Sequence, residues 1–330
     1  MKRIALLATG GTIASVHGER GLTPGVTAEE LLARMPVLAE RAEFVCRDVF
    51  SLDSSNIQPE EWRTLARAAY EALSECDGVV ITHGTDTMAY SAAALSFMLR
   101  NPSGPVVFTG SQLPVRHPLS DAQTNLAEAV EAACTAPRGV YVAFNHQIIA
   151  GPRAVKLRTT SFDAFASVNA QPVGRVDADG VHYRKIKGCE GEMRLEDQLE
   201  TRVFLLKLMP GTAPEVFDWI AQAGFKGLVL EAFGLGGLHY IRRNLVDRLR
   251  MLSERGVVTL VTTQCMYEKT DFSVYEVGSG VLSDRVYSGR DMTGEAAVAK
   301  LMWALGDPER RLELLNENVC GEMAGQEDDR

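Results

Sequence analysis

Short apolar runs recur along most of this chain, each ending in a polar or glycine-rich cluster and followed by a stretch of helical period. Residues 2–8 form the first run and end in Thr9-Gly10-Gly11-Thr12. Residues 43–52 form the second, ending in Asp53-Ser54-Ser55-Asn56, and Pro59 at a first helical position opens a helix to about residue 73. Residues 79–81 lead into Thr82-His83-Gly84-Thr85-Asp86-Thr87. Met88, Ala92, Leu95 and Leu99 then follow at helical spacing until Asn101-Pro102 stops them. Residues 105–109 and 139–144 predict two more strands around a helix over 121–134, and Thr27-Ala28-Glu29-Glu30 reads as a capping box. Continuous apolar runs suit strands buried on both faces, so the alternation predicts a mainly parallel sheet with helices on both sides. Ligands bind such sheets outside the carboxyl ends of the strands. The hydroxyl-rich clusters 9–12, 53–55 and 82–87 all lie there. For the last cluster there is a plainer reading, in which Thr85 and Asp86 cap the helix that follows.

The rhythm breaks over 145–183, where short runs alternate with turn residues and predict an antiparallel extension carrying Lys156. Residues 184–202 are highly charged and read as a linker. The βα rhythm then resumes, with strands at 203–208, 228–230 and 257–261 and helices at 214–223, 241–253 and 295–316. The polar tail 324–330 reads as frayed. The fold class is therefore α/β with two doubly wound, flavodoxin-like domains: a larger one over 1–183, a linker over 184–202 and a smaller one over 203–330. The connection over 15–25 is longer than most βα loops and carries Gly18, Gly21, Pro24 and Gly25, which suggests a lid beside Thr12.

Composition narrows the function classes. The chain has 330 residues, 46% hydrophobic and 23% charged, with a net charge of -9. An acidic chain without a basic patch does not suit nucleic acid, whose phosphates demand a basic face. No apolar stretch approaches a membrane span, and the start is too short in its apolar part for a secretion signal. The six cysteines are scattered without a CxxC pair, as in reduced cytoplasmic proteins, and the six histidines show no metal-ligand spacing. Gly10-Gly11 lacks the lysine and spacing of a phosphate loop, so no cofactor or metal is expected.

The chemistry rests on threonine, aspartate and lysine. A hydroxyl is a weak nucleophile until a base takes its proton, and lysine serves as that base only when its surroundings favour the neutral amine. Ala8-Thr9-Gly10-Gly11-Thr12-Ile13-Ala14 and Thr82-His83-Gly84-Thr85-Asp86-Thr87 resemble the two signature motifs of the bacterial-type L-asparaginases. Asp53-Ser54-Ser55, Phe108-Thr109-Gly110-Ser111-Gln112, Lys156 and the run 161–167 add matches, so that the resemblance covers essentially the whole chain. The missing signal is similar to the cytoplasmic type I branch. The resemblance makes Thr12 the nucleophile that attacks the side-chain amide of L-asparagine, releasing ammonia and leaving a β-aspartyl ester. It makes Thr85 with Lys156 the pair that activates water, and Asp86 the partner of the substrate α-ammonium. Ser54 and Ser55, with Asp53 beside them, would bind the α-carboxylate. Backbone N–H groups of Thr12 and Thr85 would hold the oxyanion. A homodimer or homotetramer is implied, with loops 234–240 and 263–275 completing a neighbour's site, and a minor glutaminase activity is compatible with it.

Two departures bear on mechanism. The family's loop tyrosine is matched by Leu22, and the asparagine of its C-domain loop by Gly237; a partner-supplied glutamate matches Glu268 only loosely. Tyr240, Tyr267 and Tyr275 are candidates to replace the tyrosine, or Lys156 serves both half-reactions through Thr85. Rival readings are the amidase subunit of an archaeal-type tRNA amidotransferase, which usually carries an extra N-terminal domain, and a non-catalytic amino-acid sensor. Thr9 and His83 read as structural.

Overall fold

The computed structural model describes residues 1–18, 21–186, 188–273 and 284–324, with the backbone alone over 16–18 and 21–24. It divides into two compact units, 1–197 and 198–330.

The first unit is built on an eight-stranded sheet. Its parallel part runs Ala42–Leu52, Lys2–Gly10, Gly78–Thr82, Pro105–Thr109, Gly139–Phe144 in space. The first strand in sequence thus has the second on one side and the third on the other. This reversal opens the crevice in which an open α/β sheet takes ligands. The apolar runs behave as expected: Ile4, Leu6, Val79, Val80, Ile81, Val106, Val107 and Phe108 are buried, because helices cover both faces. Thr27 and Glu30 form the reciprocal capping box of a short helix Ala28–Ala33. The expected antiparallel extension is present as Gln147–Ala150, Gly174–Asp177 and Gly180–Tyr183. Lys156 lies outside that sheet, at the end of Ala154–Lys156, which pairs antiparallel with Phe165–Ser167. The connection after Thr12 is a hairpin, Ser15–Gly18 against Gly21–Pro24.

The second unit carries four parallel strands in chain order, Val203–Lys207, Gly227–Ala232, Val258–Thr263 and Val286–Ser288. Helices Glu215–Gln222 and Leu245–Glu254 pack through Phe217, Ile220, Leu245, Leu249 and Leu252 on the face that presents Leu228, Leu230 and Val261. Right-handed crossovers between strands in sequential order place both helices on one face. The helix Gly294–Gly306 approaches the sheet where Gly227 leaves room for Leu301 and Leu305.

The charged stretch 184–202 is divided between the units. Arg194–Leu195 pairs with Leu99–Arg100, Glu196 N–H reaches Met98 O at 2.8 Å, and Asp197 pairs with Arg67 at 2.6 Å, all in the first unit. Gln198 and Glu200 bond within the second, to Arg311 and Met302 O. Charge made this stretch look detached, but Arg194–Leu195 pairs by its backbone with Leu99–Arg100 in a two-stranded sheet. The helix expected from residue 241 begins at Leu245, because Asn244 accepts the Val246 and Asp247 N–H groups as its cap. Ile241, counted toward that helix by its apolar character, is 84% exposed. Of the expected frayed tail only Ala324 is described, and its N–H bonds the Asp291 carboxylate; 325–330 lie outside the described residues.

Candidate active site

The loops after the first three strands meet through their glycines. Gly10 and Gly11 both have left-handed φ, 96° and 75°, which bends the chain sharply after the first strand. A Cβ on Gly11 would sit 2.3 Å from Gly84 N, and one on Gly84 would sit 2.6 Å from Ser54 Oγ. The backbones after the first and third strands therefore touch, with Ser54 wedged against them. No larger residue fits either position.

Ser54 is buried and holds the 84–87 turn by two bonds. Its Oγ accepts the Asp86 N–H at 3.2 Å, and its carbonyl accepts the Thr87 hydroxyl at 2.7 Å. The helix that follows runs Met88–Met98, with Thr87 as its N-cap and no side-chain capping bond. Thr85 and Asp86 do not cap it, so the plainer reading of these two residues fails. Their side chains point instead to Lys156. Its Nζ donates to Thr85 Oγ1 at 2.8 Å and to Asp86 Oδ1 at 2.6 Å. The lysine is 15% exposed and the aspartate side chain 63%, so the pair runs from a buried hydroxyl to an open carboxylate.

Thr12 opens a single 3-10 turn, Thr12–Ala14, directly after Gly11. It is half-buried, and its hydroxyl bonds to none of the described residues. Thr9 is fully buried with its hydroxyl spent on Thr82 O at 2.8 Å, which fits the structural reading. Asp53 and Ser55 are exposed and satisfy one another: Asp53 Oδ1 accepts the Ser55 N–H at 2.8 Å and the Ser55 hydroxyl at 2.6 Å. The Ser55 hydroxyl bond, then the Ser55 backbone bond, holds the Asp53 carboxyl below its usual range. The Ser55 hydroxyl proton is thus committed, whereas Ser54 still has its own proton to donate.

Gln112 holds a more central place than its motif suggested. Its Nε2 donates to Thr159 O and Ser161 O at 3.1 and 2.9 Å, which turns its Oε1 toward the Thr85 hydroxyl at 3.4 Å. Asp121 in turn accepts the Gln112 N–H at 3.0 Å. The only signal was its position in the Thr109-Gly110-Ser111-Gln112 match. His83 is fully buried, and burial pushes its imidazole down to about 4 against the opposing pull of the Gly84 carbonyl. Leu22 lies on the second strand of the hairpin after Thr12, and Gly237 bridges to Phe233. The side chain of Leu22 and all of Tyr275 lie outside the described residues, while Tyr240 and Tyr267 are exposed. Asp177, Asp179 and His182 come within 4.8 Å of one another on an exposed hairpin, a cluster their spacing did not suggest. Asp177 already accepts bonds from both partners.

A lysine, two threonine hydroxyls, a carboxylate and a serine at the carboxyl edge of a parallel sheet, beside its reversal, can acylate and deacylate a hydroxyl. The Asparaginase, N-terminal family model matches residues 3–187, and the Glutaminase/Asparaginase C-terminal domain model matches 202–315. The chain belongs to the asparaginase family. It is 42% identical to an L-asparaginase of Thermococcus kodakarensis, over 98% of this chain and 99% of that one. The solved thermostable L-asparaginase of that organism superposes with a TM-score of 0.92, covering 98% and 100% of the two chains. L-asparaginase I of Vibrio cholerae is 31% identical with a TM-score of 0.87, covering 98% and 99%. A glutamyl-tRNA(Gln) amidotransferase component from Archaeoglobus fulgidus is 39% identical over 97% of this chain and 79% of its own length. The two-domain α/β architecture is that of the family. No helix of the described residues is long and apolar enough to cross a membrane.

Proposed function

We propose that this chain hydrolyses L-asparagine to L-aspartate and ammonia in the cytoplasm, without a cofactor. The observation that carries the reading is the position of Lys156 Nζ, 2.8 Å from Thr85 Oγ1 and 2.6 Å from Asp86 Oδ1. In the first half-reaction Thr12 Oγ adds to the side-chain carbonyl carbon, and its proton passes to the departing nitrogen as the C–N bond breaks. In the second, water adds to the β-aspartyl ester. Its proton goes to Thr85 Oγ1 as the Thr85 proton moves to neutral Lys156, and the same relay returns a proton to Thr12 Oγ as the ester C–O bond breaks and Thr12 leaves. The Thr12 and Thr85 amides stabilise the oxyanion in both, which is usually a large contribution. Asp86 binds the α-ammonium, and Ser54 and Ser55 bind the α-carboxylate; Ser55 must turn its hydroxyl away from Asp53 to do so. With Leu22 on the hairpin after Thr12, the base for acylation is Lys156 acting through Thr85 in preference to Tyr240, Tyr267 or Tyr275. The hairpin closes over bound substrate as a lid.

The active form is a homodimer or homotetramer. The second unit has a cavity of about 620 Å³ lined by Pro210, Phe233, His239, Tyr240, Ile241 and Arg242, with Tyr240 and Ile241 exposed. An apolar surface of this kind suits a second copy of the chain. Ile241→Glu should shift sedimentation toward monomer and lower activity with it. A second reading is favoured by the 39% match to an amidotransferase component, in which the ammonia is passed to a partner protein. Ammonia release from asparagine and glutamine by the isolated chain separates the readings. Turnover of free asparagine supports the hydrolase. Turnover only with a partner and charged tRNA supports the amidotransferase role, and binding without turnover supports a sensor. One methylene separates the two amides, worth about 1–3 kcal/mol, so some glutamine turnover is expected.

A further inference from the structure

His83 sits in the second signature motif, yet the reaction described above gives it no role. It is completely buried beneath the 84–87 turn, its ring edge packed on Phe108 at 5.7 Å. Its own N–H is fixed by Thr109 O at 2.8 Å. Nδ1 lies 2.7 Å from Gly84 O. A carbonyl only accepts, so Nδ1 carries the proton. Nε2 has no partner among the described residues, and nothing there competes for that proton. Burial keeps the imidazole neutral across the ordinary pH range.

The Gly84 carbonyl and the Thr85 amide belong to one planar trans peptide, in which C=O and N–H point in opposite directions. A group that fixes the carbonyl therefore fixes the amide. Gly11 and Ser54 crowd Gly84 at its Cα, which leaves no room for a side chain there and holds the turn in place. We infer that His83 is a positioning residue: its Nδ1–H anchors the Gly84 carbonyl and so aims the Thr85 N–H at the oxyanion. The role rests on the hydrolase reading, in which that amide is an oxyanion donor. Such donors act because they are already oriented before the charge develops, so a misdirected amide loses most of its effect.

Two substitutions and one spectrum test it. His83→Leu removes the donor and also the unpartnered Nε2, so its Tm should stay within a few degrees of wild type. Its kcat should fall at least tenfold, with KM changing less than about threefold. In His83→Asn the side-chain amide N–H takes the place of Nδ1–H, and most of the lost turnover should return. The ¹⁵N spectrum of histidine-labelled wild type should show His83 protonated at Nδ1 alone. Equal impairment of His83→Leu and His83→Asn overturns the role, as does a kcat loss matched by a comparable loss of Tm. Should His83→Leu fail to fold, the spectrum and His83→Asn still decide. An active wild type with His83 protonated at Nε2 sinks this role alone. A wild type that releases no ammonia sinks the hydrolase reading and this role together.

Discussion

Both units are built on parallel strands covered by helices, with an antiparallel extension in the first, yet the candidate chemistry belongs to one of them. The difference lies in strand order. In the first unit the first strand is flanked by the second and third, so the chain turns away from Lys2–Gly10 in opposite directions and leaves a crevice at their carboxyl ends. In the second unit the described strands follow in chain order, so no such reversal occurs among the described residues. The polar groups of the two units are used accordingly. Thr87, at the N-cap of Met88–Met98, gives its hydroxyl to Ser54 O instead of to its helix. Asn244 and Thr293, at the N-caps of Leu245–Glu254 and Gly294–Gly306, accept their helices' own N–H groups. The buried lysine of the second unit, Lys300, is locked to Glu322 at 2.7 Å with both side chains fully buried. Lys156 remains partly open, with bonds to a hydroxyl and an exposed carboxylate.

If chemistry and support are divided in this way, substitutions should separate turnover from stability. The largest effect is expected for Thr12→Ala, Thr85→Ala and Lys156→Ala. Each should lower kcat by about 10³ or more at nearly unchanged Tm, and double substitutions should add little further. Asp86→Ala should act more on KM. Near-normal turnover in Thr12→Ala would make Thr85 the first nucleophile. Next comes the buried pair of the second unit. Lys300→Met strands the Glu322 carboxylate and should cost about 3–5 kcal/mol in urea unfolding. Activity per folded molecule should stay within twofold; a selective loss of kcat would show that the division is false.

A comparable effect in the first unit depends on pH. His83 has a folded pKa of about 4 against an ordinary 6.5. Between those values the unfolded chain takes up a proton that the folded chain refuses, so stability is complete above pH 6.5 and falls as the pH drops toward 4. The loss amounts to about 3 kcal/mol at 1.36 kcal/mol per unit. Unfolding of wild type and His83→Leu at pH 7 and pH 4 isolates it, since the variant should lack this part of the slope. Parallel slopes in the two proteins count against a buried neutral imidazole. The smallest effect sharpens the contrast between caps. Asn244→Ala should cost about 1 kcal/mol and leave kcat and KM alone. Thr87→Ala, which frees the Ser54 turn, should cost a similar amount and raise KM as well.

Local patterns in the sequence were enough for several of these elements. The capping box of Thr27 and Glu30 could be read directly, because a cap involves only neighbours in sequence. The strands around residues 79–81 and 105–109 could be read because a strand covered on both faces has to be apolar throughout. Ile241 misled for the converse reason. An apolar residue on the surface looks the same in sequence as one in a helix core, and only the Asn244 cap marked the true start. Residues 194–197 misled because they are tied to the first unit by the Arg194–Leu195 backbone pairing, the Glu196 N–H and the Asp197–Arg67 ion pair, to which side-chain charge is a poor guide.

By itself, then, the sequence determined the alternation of strands and helices, the hydroxyl-rich loops at strand ends and, by resemblance, which threonines, aspartate and lysine to watch. These depend on local periodicity or on motifs a few residues long. Tertiary structure alone decided which loops meet. It set Gly11 against Gly84 and Ser54, swung the Ala154–Lys156 hairpin so that Nζ reaches Thr85 and Asp86, and turned His83 beneath the Gly84 carbonyl. Lys156 lies 71 residues from Thr85 in sequence, and Ser54 lies 32 from Asp86. No local rule links positions so far apart. Their meeting follows from the reversal of strand order, and that is a property of how the whole sheet packs.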